Sequence, residues 1–186
     1  MTRPEDYFSG IEPIRYEGPE SKNPLAYRWY DKDRVLMGKR LEDHLRPSVC
    51  FWHSFCWDGF DVFGAGTFNR PWHGLQGREM AKARLDAAFD FITKLGAPYF
   101  AFHDVDVMAP AANIREHVAN FSEAADWIEA KMAATGVKLL WGTANMFSNP
   151  RYMGGAATNP DPEVFACAAT QVRMALEVTK RLRGEN

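Results

Sequence analysis

The sequence lacks several features that would assign it to a specialised class of protein. It has no excess of charge, since 22 Lys and Arg residues face 24 Asp and Glu residues for a net charge of −2, whereas a nucleic-acid binder usually has a basic excess that neutralises phosphates. No apolar run approaches the roughly 20 residues that span a bilayer, and no apolar segment follows Arg3 as it would in a secretory signal. We therefore expect no nucleic-acid or membrane partner and a cytoplasmic location.

Cysteine is also scarce, with three residues that cannot all pair within one chain: Cys50, Cys56 and Cys167. Without an export signal, reduced thiols are expected. Cys50, His53 and Cys56 offer three candidate zinc ligands, but a structural zinc site usually has four ligands in two separated pairs. The three residues lie in a run of large apolar side chains, so we interpret them as packing residues and predict no metal site in this chain.

What the sequence has is a globular composition, with 46% hydrophobic and 13% aromatic residues. Residues 1–46 hold four prolines and show no sustained period, which predicts an irregular N-terminal arm with a short helix over residues 32–45. Residues 47–186 are regular and form the predicted main domain. Apolar runs predict strands at 48–52, 99–102 and 137–141, and periodic apolar positions predict helices at 78–95, 113–134 and 163–182.

The alternation of strands and helices is typical of a parallel α/β sheet. Loops after strands are long and polar while loops after helices are short, a polarity shared by (β/α)8 barrels and open doubly wound sheets. The phosphate-binding Gly-x-Gly-x-x-Gly of the open sheet is absent after the first strand. Since a closed barrel takes about 250 residues, we predict an α/β fold that is an incomplete (β/α)8 TIM barrel, about the first half with three to four strand–helix units.

The end of the second predicted strand holds the best candidates for chemistry, His103, Asp104 and Asp106. Barrel enzymes keep catalytic groups at this end of their strands. On a continuing strand His103 and Asp106 would lie on opposite faces, so a contact between them requires the chain to turn there. A carboxylate bonded to one imidazole nitrogen would leave the other nitrogen as an acid or base. The alternative is a capping or packing arrangement.

Four motifs closely resemble those of xylose isomerases of the longer-chain class. They are Phe-His-Asp-Val-Asp-Val at 102–107, Leu-Leu-Trp-Gly-Thr-Ala-Asn at 139–145, Asn-Pro-Arg-Tyr at 149–152 and Ala-Ala-Thr-Asn-Pro-Asp-Pro at 156–162. Segments 15–18, 23–26 and 68–72 extend the resemblance over essentially all 186 residues. The resemblance implies an aldose–ketose isomerase of carbohydrate metabolism that converts D-xylose to D-xylulose and also acts on D-glucose.

The resemblance also implies roles for individual residues. His103 would act in ring opening at the anomeric carbon of the sugar, and Asp106 would orient it. The sugar pocket would be formed by Trp52, Trp141, Thr143 and Phe63. Of these, Phe63 would reach into the active site of a neighbouring subunit, so we expect a homo-oligomer. Without the resemblance, the three aromatic residues would be interpreted as ordinary core packing.

The family's reaction is a hydride shift between C1 and C2 that is assisted by two divalent cations, Mg, Mn or Co. The resemblance places the ligands of these cations on later strands, the first of which would begin immediately after Asn186. We therefore expect an N-terminal half that is inactive alone and that needs a C-terminal half as its partner. Two alternatives remain: a non-catalytic sugar-binding module, or a half barrel whose exposed sheet is covered by a second copy.

Overall fold

The computed structural model describes residues 7–186, so the first six residues of the predicted arm lie outside the description. The arm contains three short elements: β1 (Val35–Leu36), β2 (Lys39–Arg40) and α1 (Leu41–Leu45). The helix predicted over residues 32–45 is therefore wrong in its first part. Met37 and Gly38 have φ values of 50° and 81°, which suit the two-residue turn of the antiparallel β1–β2 hairpin and cannot continue a helix.

A parallel three-stranded sheet follows, formed by β3 (Ser48–Cys50), β4 (Tyr99–His103) and β5 (Lys138–Thr143) in the order β3-β4-β5. The three predicted strands are thus confirmed as neighbours. The first is shorter than predicted, because Phe51 turns to φ −71° and ψ −41° and Trp52–Cys56 form a π-helical turn. One irregularity interrupts the β4–β5 ladder: Phe100 pairs with Leu139 but Ala101 pairs with Trp141, so Leu140 is an extra residue.

Four further helices are α2 (Gly77–Leu95), α3 (Asp104–Val107), α4 (Ile114–Thr135) and α5 (Pro162–Arg181). The long ones match the predicted helices to within one residue at each end, whereas α3 replaces the start of a predicted loop. Gly96 and Gly136 end α2 and α4 with φ values of 72° and 76°, the left-handed conformation expected of a helix cap. Within residues 7–186, no helix combines the length and the apolar character needed to cross a bilayer.

The core lies between the sheet and the helices α2 and α4. Phe100 packs against Phe89 of α2 with ring centroids 5.2 Å apart, and Phe102 packs against Phe121 of α4 at 6.1 Å. All four rings are essentially inaccessible to solvent. This packing fixes the carboxyl ends of the three strands at one edge of the sheet, where the polar residues named above are found.

Candidate functional site

The pair His103 and Asp106 forms at the carboxyl end of β4. Since α3 begins directly after His103, its first turn brings Asp106 back over the strand end. One carboxylate oxygen, Asp106 Oδ2, accepts hydrogen bonds from the backbone N–H of His103 at 2.7 Å and from its ring Nδ1 at 3.1 Å. The chain thus makes the turn that the contact requires. The bond to the backbone N–H also caps the first turn of α3.

The geometry sets the proton positions of this pair. Because Asp106 Oδ2 already accepts from the backbone N–H, we assign the ring hydrogen to Nδ1 of His103. Burial raises the pKa of Asp106, and the backbone and ring of His103 work against that rise. The second ring nitrogen, Nε2, is left with a lone pair. The arrangement can therefore accept and return a proton at Nε2 while the carboxylate supports the positive ring.

Aromatic rings from neighbouring strands surround the imidazole. The ring of Trp52, in the π-helical turn after β3, lies 4.8 Å from that of His103 and 5.3 Å from that of Trp141. Thr143, the last residue of β5, pairs in register with His103. Phe147 lies 5.4 Å from the imidazole, and the sequence reasoning missed it, although a phenylalanine in a polar loop was a signal that could have identified it.

Phe63 is the predicted site residue that the structure leaves apart from this group. It sits in the long loop after the π-helical turn, where Asp61 Oδ1 accepts a hydrogen bond from its backbone N–H at 2.8 Å. The side chain is 92% exposed, and no ring of residues 7–186 stacks on it. The structure thus gathers Trp52, His103, Asp106 and Trp141, whereas Phe63 points to solvent within this chain.

Asp104 forms a second, buried group that sequence reasoning did not predict. Its side chain is fully buried; Oδ1 accepts from the backbone N–H groups of Val105 and Asn145, each at 2.8 Å, and Oδ2 accepts from Gln171 Nε2 at 2.8 Å. His117 Nε2 lies 3.1 Å from Oδ2. Burial acts to raise the pKa of Asp104, but these neighbours outweigh it and hold the pKa below its usual range. Asp104 therefore ties the end of β4 to the loop after β5 and to α5.

Comparison with known proteins identifies the relatives of this chain. A xylose isomerase of Solibacter usitatus is 62% identical over 183 residues, which cover 98% of this chain and 42% of that protein. Xylose isomerases of Novosphingobium aromaticivorans and Salmonella paratyphi A are 60% and 55% identical and cover 97% of this chain, which spans 42% and 43% of their own lengths. The chain matches the N-terminal half of xylose isomerases. No family model matches the chain.

The thiol of Cys56 lies next to the His103–Asp106 pair. Its Sγ donates to the backbone carbonyl of Asp106 at 3.5 Å, and burial raises the pKa of Cys56 to about 12. Such a thiol stays protonated at neutral pH and is a poor metal ligand. Within residues 7–186, no three or more His, Cys, Asp or Glu side chains cluster in a way that could hold a metal ion.

The raised pKa predicts slow chemistry at Cys56. At pH 8 a thiol of pKa about 12 is ionised far less than an ordinary thiol of pKa about 8.5, so we expect iodoacetamide to modify Cys56 at least ~100-fold more slowly in the folded chain than in urea. Mass spectrometry of cysteine peptides over time measures both rates. Equal rates in the folded and unfolded chain would contradict the buried, protonated thiol.

Proposed function

We propose that this chain supplies the ring-opening part of a xylose isomerase, with residues 47–186 forming about half of a (β/α)8 barrel and residues 1–46 forming an arm. The observation that carries the proposal is the His103–Asp106 pair at the carboxyl ends of parallel strands, with Trp52 and Trp141 beside the imidazole. The identity with proteins named xylose isomerases supports it. The chain spans less than half of their length, so the activity belongs to an assembly and not to these residues alone.

The aromatic residues suit an aldose such as D-xylose or D-glucose. Sugar rings have apolar C–H faces as well as hydroxyl groups, and aromatic side chains provide a large apolar surface for the former. Trp52 and Trp141 lie with their rings 5.3 Å apart and tilted by 35°, so both can contact a sugar held above His103. The hydroxyl of Thr143, which pairs with His103 in the sheet, is the nearby polar group that we assign to the sugar.

Ring opening requires only proton transfers that a histidine can perform. The hydroxyl on C1 loses its proton, the bond between C1 and the ring oxygen breaks, a carbonyl forms at C1, and the ring oxygen gains a proton. In our proposal the lone pair of His103 Nε2 takes the first proton and returns it to the ring oxygen. Asp106, bonded to Nδ1 at 3.1 Å, stabilises the imidazolium that exists between the two transfers.

We assign the isomerisation that follows ring opening to residues outside this chain. The resemblance implies two divalent cations, but the described side chains do not fit them. His103 and Asp106 are bonded to each other, Asp104 has both oxygens occupied by donors, and residues 7–186 offer no larger group of metal ligands. We therefore derive no step through a metal from this chain, and the proposal leaves the hydride shift to the remainder of the barrel.

Exposed surfaces of the chain support the proposal that a second polypeptide segment packs against it. β3 and β5 are the edge strands of the sheet within the described residues. An apolar cavity of about 360 Å³ on the outer face of α5 is lined by Phe165, Val172 and Leu176, of which Leu176 is 66% exposed. We propose that a C-terminal half covers these surfaces and completes the barrel, with Phe63 available to a neighbouring subunit. A second copy of this chain is the alternative cover.

Complementation tests the proposal. The full chain is mixed with the C-terminal remainder of the Solibacter usitatus relative, magnesium is added, and D-xylulose is measured by a coupled enzymatic assay. We expect xylulose from the mixture and from neither part alone. Xylulose from this chain alone, or none from a mixture whose two parts co-elute on gel filtration, would contradict the proposal. The second result, combined with xylose binding, would favour the non-catalytic sugar-binding module.

A further inference from the structure

A second cavity, of about 420 Å³, lies between α2, α4 and the loop after β5. It is separate from the candidate sugar site, because none of Trp52, His103 and Trp141 lines it. Its volume falls in the range of about 300–1,000 Å³ that is usual for small-ligand sites. It lies at the carboxyl end of the sheet, where α/β proteins bind their ligands.

The lining of this cavity is basic. Two arginines, Arg84 and Arg151, and one histidine, His117, contribute to it, whereas no aspartate or glutamate does. The lining therefore has a positive charge with no carboxylate at the cavity wall to balance it. An anion that entered would meet guanidinium groups without competing with a side chain of the same sign.

Arg84 is the residue whose situation points to a missing ligand. Its side chain lies on α2 and the residue is only 7% exposed, yet its Nε has no hydrogen-bond partner in residues 7–186. Its guanidinium makes one long bond, from Nη2 to the carbonyl of Met108 at 3.4 Å, and forms no ion pair within the described part of the chain. A buried guanidinium whose N–H donors are not all hydrogen-bonded has lost solvation free energy, and a bound anion that accepted hydrogen bonds from those donors would recover part of it.

Burial raises the pKa of the Asp106 carboxyl and the charge of Arg84 works to lower it, but no ion pair joins the two within the described residues. The carboxylate of Asp104 is not a partner of Arg84 either. It is fully buried, it does not line the cavity, and its two oxygens already accept from Val105, Asn145 and Gln171. His117 stands between it and the cavity wall: the residue is 8% exposed, and its Nε2 lies 3.1 Å from Asp104 Oδ2 without the alignment of a hydrogen bond. The charge of Asp104 is thus committed to holding the loop and α5.

We propose that this cavity binds a small oxyanion, a phosphate or a carboxylate, through the guanidinium of Arg84 with Arg151 as the second cation. A guanidinium presents parallel N–H donors that match two oxygens of such an anion. The cavity has room for more than inorganic phosphate, so the anionic group can belong to a small organic molecule. The site is distinct from the sugar site and does not depend on the isomerase assignment.

Calorimetric titration of the full chain with inorganic phosphate tests the site, with sodium chloride used to keep the ionic strength constant. We expect saturable binding that Arg84→Met weakens at least ~10-fold, because the substitution removes a charge-assisted, bidentate contact. Arg173→Met is the matched control, since Arg173 on α5 is exposed and paired with Glu177 at 3.5 Å; it should bind phosphate as the unaltered chain does. Parallel titration with acetate shows whether phosphate or carboxylate is preferred.

Thermal unfolding provides a second measurement that does not rely on heats of binding. Phosphate should raise the Tm of the unaltered chain and of Arg173→Met, but not that of Arg84→Met, with each protein compared with itself in the absence of phosphate. Should Arg84→Met fail to fold, Arg84→Lys keeps the charge and should bind several-fold more weakly. No saturable binding to the folded chain, or equal binding by the unaltered chain and the variant, would overturn the proposal.

Discussion

Replacement of His103 by glutamine should lower kcat for D-xylose by about 10²- to 10⁴-fold in the complemented enzyme, the range that a general acid–base residue contributes. Glutamine is similar in length to histidine and its amide NH2 can donate a hydrogen bond to Asp106 in place of the ring Nδ1–H, but the amide cannot take up and return a proton. The Asp106 carboxylate would keep its bond from the backbone N–H of residue 103, so the strand end should retain its shape. Steady-state assays of xylulose formation measure the change.

Two comparisons separate a role in ring opening from a structural one. His73→Gln is the matched control, because His73 is exposed and its ring makes an edge contact with Trp72, with the ring centroids 6.2 Å apart. This variant should leave kcat within about two-fold, as surface substitutions do. A three-carbon aldose cannot form a six-membered ring, so its conversion should be much less sensitive to His103→Gln than that of xylose. An equal loss on both substrates would contradict ring opening as the role of His103.

The second large effect is expected at Asp104, where asparagine should lower the free energy of unfolding of the chain by about 3–5 kcal/mol, the cost of breaking a buried charged group from its partners. Both oxygens of Asp104 accept hydrogen bonds, so an amide must place its NH2 group against another donor. Urea unfolding followed by circular dichroism measures the loss. Asp126→Asn is the control, because Asp126 pairs with Arg181 at 2.7 Å on an exposed surface, where an ion pair contributes about 1 kcal/mol or less.

The lowered pKa of Asp104 predicts that the free energy of unfolding depends on pH. The pKa of Asp104 in the folded chain is lower than its usual value, so its contribution is fully present above the unfolded pKa of about 3.9 and is lost as the pH falls through the folded value. The free energy of unfolding should therefore decrease below about pH 4, and the decrease should be smaller in Asp104→Asn. An unchanged acid slope in the variant, or a variant as stable as Asp126→Asn, would contradict the structural role of Asp104.

The elements with a strong period were predictable from the sequence, and those set by local backbone geometry were not. Buried positions such as Leu85, Phe89 and Ile92 recur at helical spacing in α2, and that period located the helix to within a residue. The β1–β2 hairpin was missed because it depends on the left-handed φ of Met37, a residue that rarely adopts it. The π-helical turn after β3 was missed because its aromatic residues have the composition of a strand.

The candidate site likewise has one part that the sequence predicted and another that it did not. His103 and Asp106 are three residues apart, so their contact could be anticipated as soon as the chain was allowed to turn. The partners of Asp104 could not, because Asn145 and Gln171 lie 41 and 67 residues further along the chain. The role of a carboxylate with such partners follows from the packing of α5 against β5, and no short motif records that packing. The sugar-pocket roles that we propose for Trp52 and Trp141 came from the family resemblance, since composition alone favours core packing.

The extra residue in β5, Leu140, determines on which face of the sheet the side chain of Trp141 lies. Because Leu140 has no partner in β4, Trp141 pairs with Ala101, two residues from His103 and on the same face as that histidine. In an unbroken ladder Trp141 would stand in the row of Phe102, whose ring is buried against α4. The tryptophan would then compete for space in the core and the imidazole would lose a neighbour. The shape of the proposed sugar pocket thus depends partly on the number of backbone residues in β5, and a deletion at Leu140 would alter it without changing any side chain of the site.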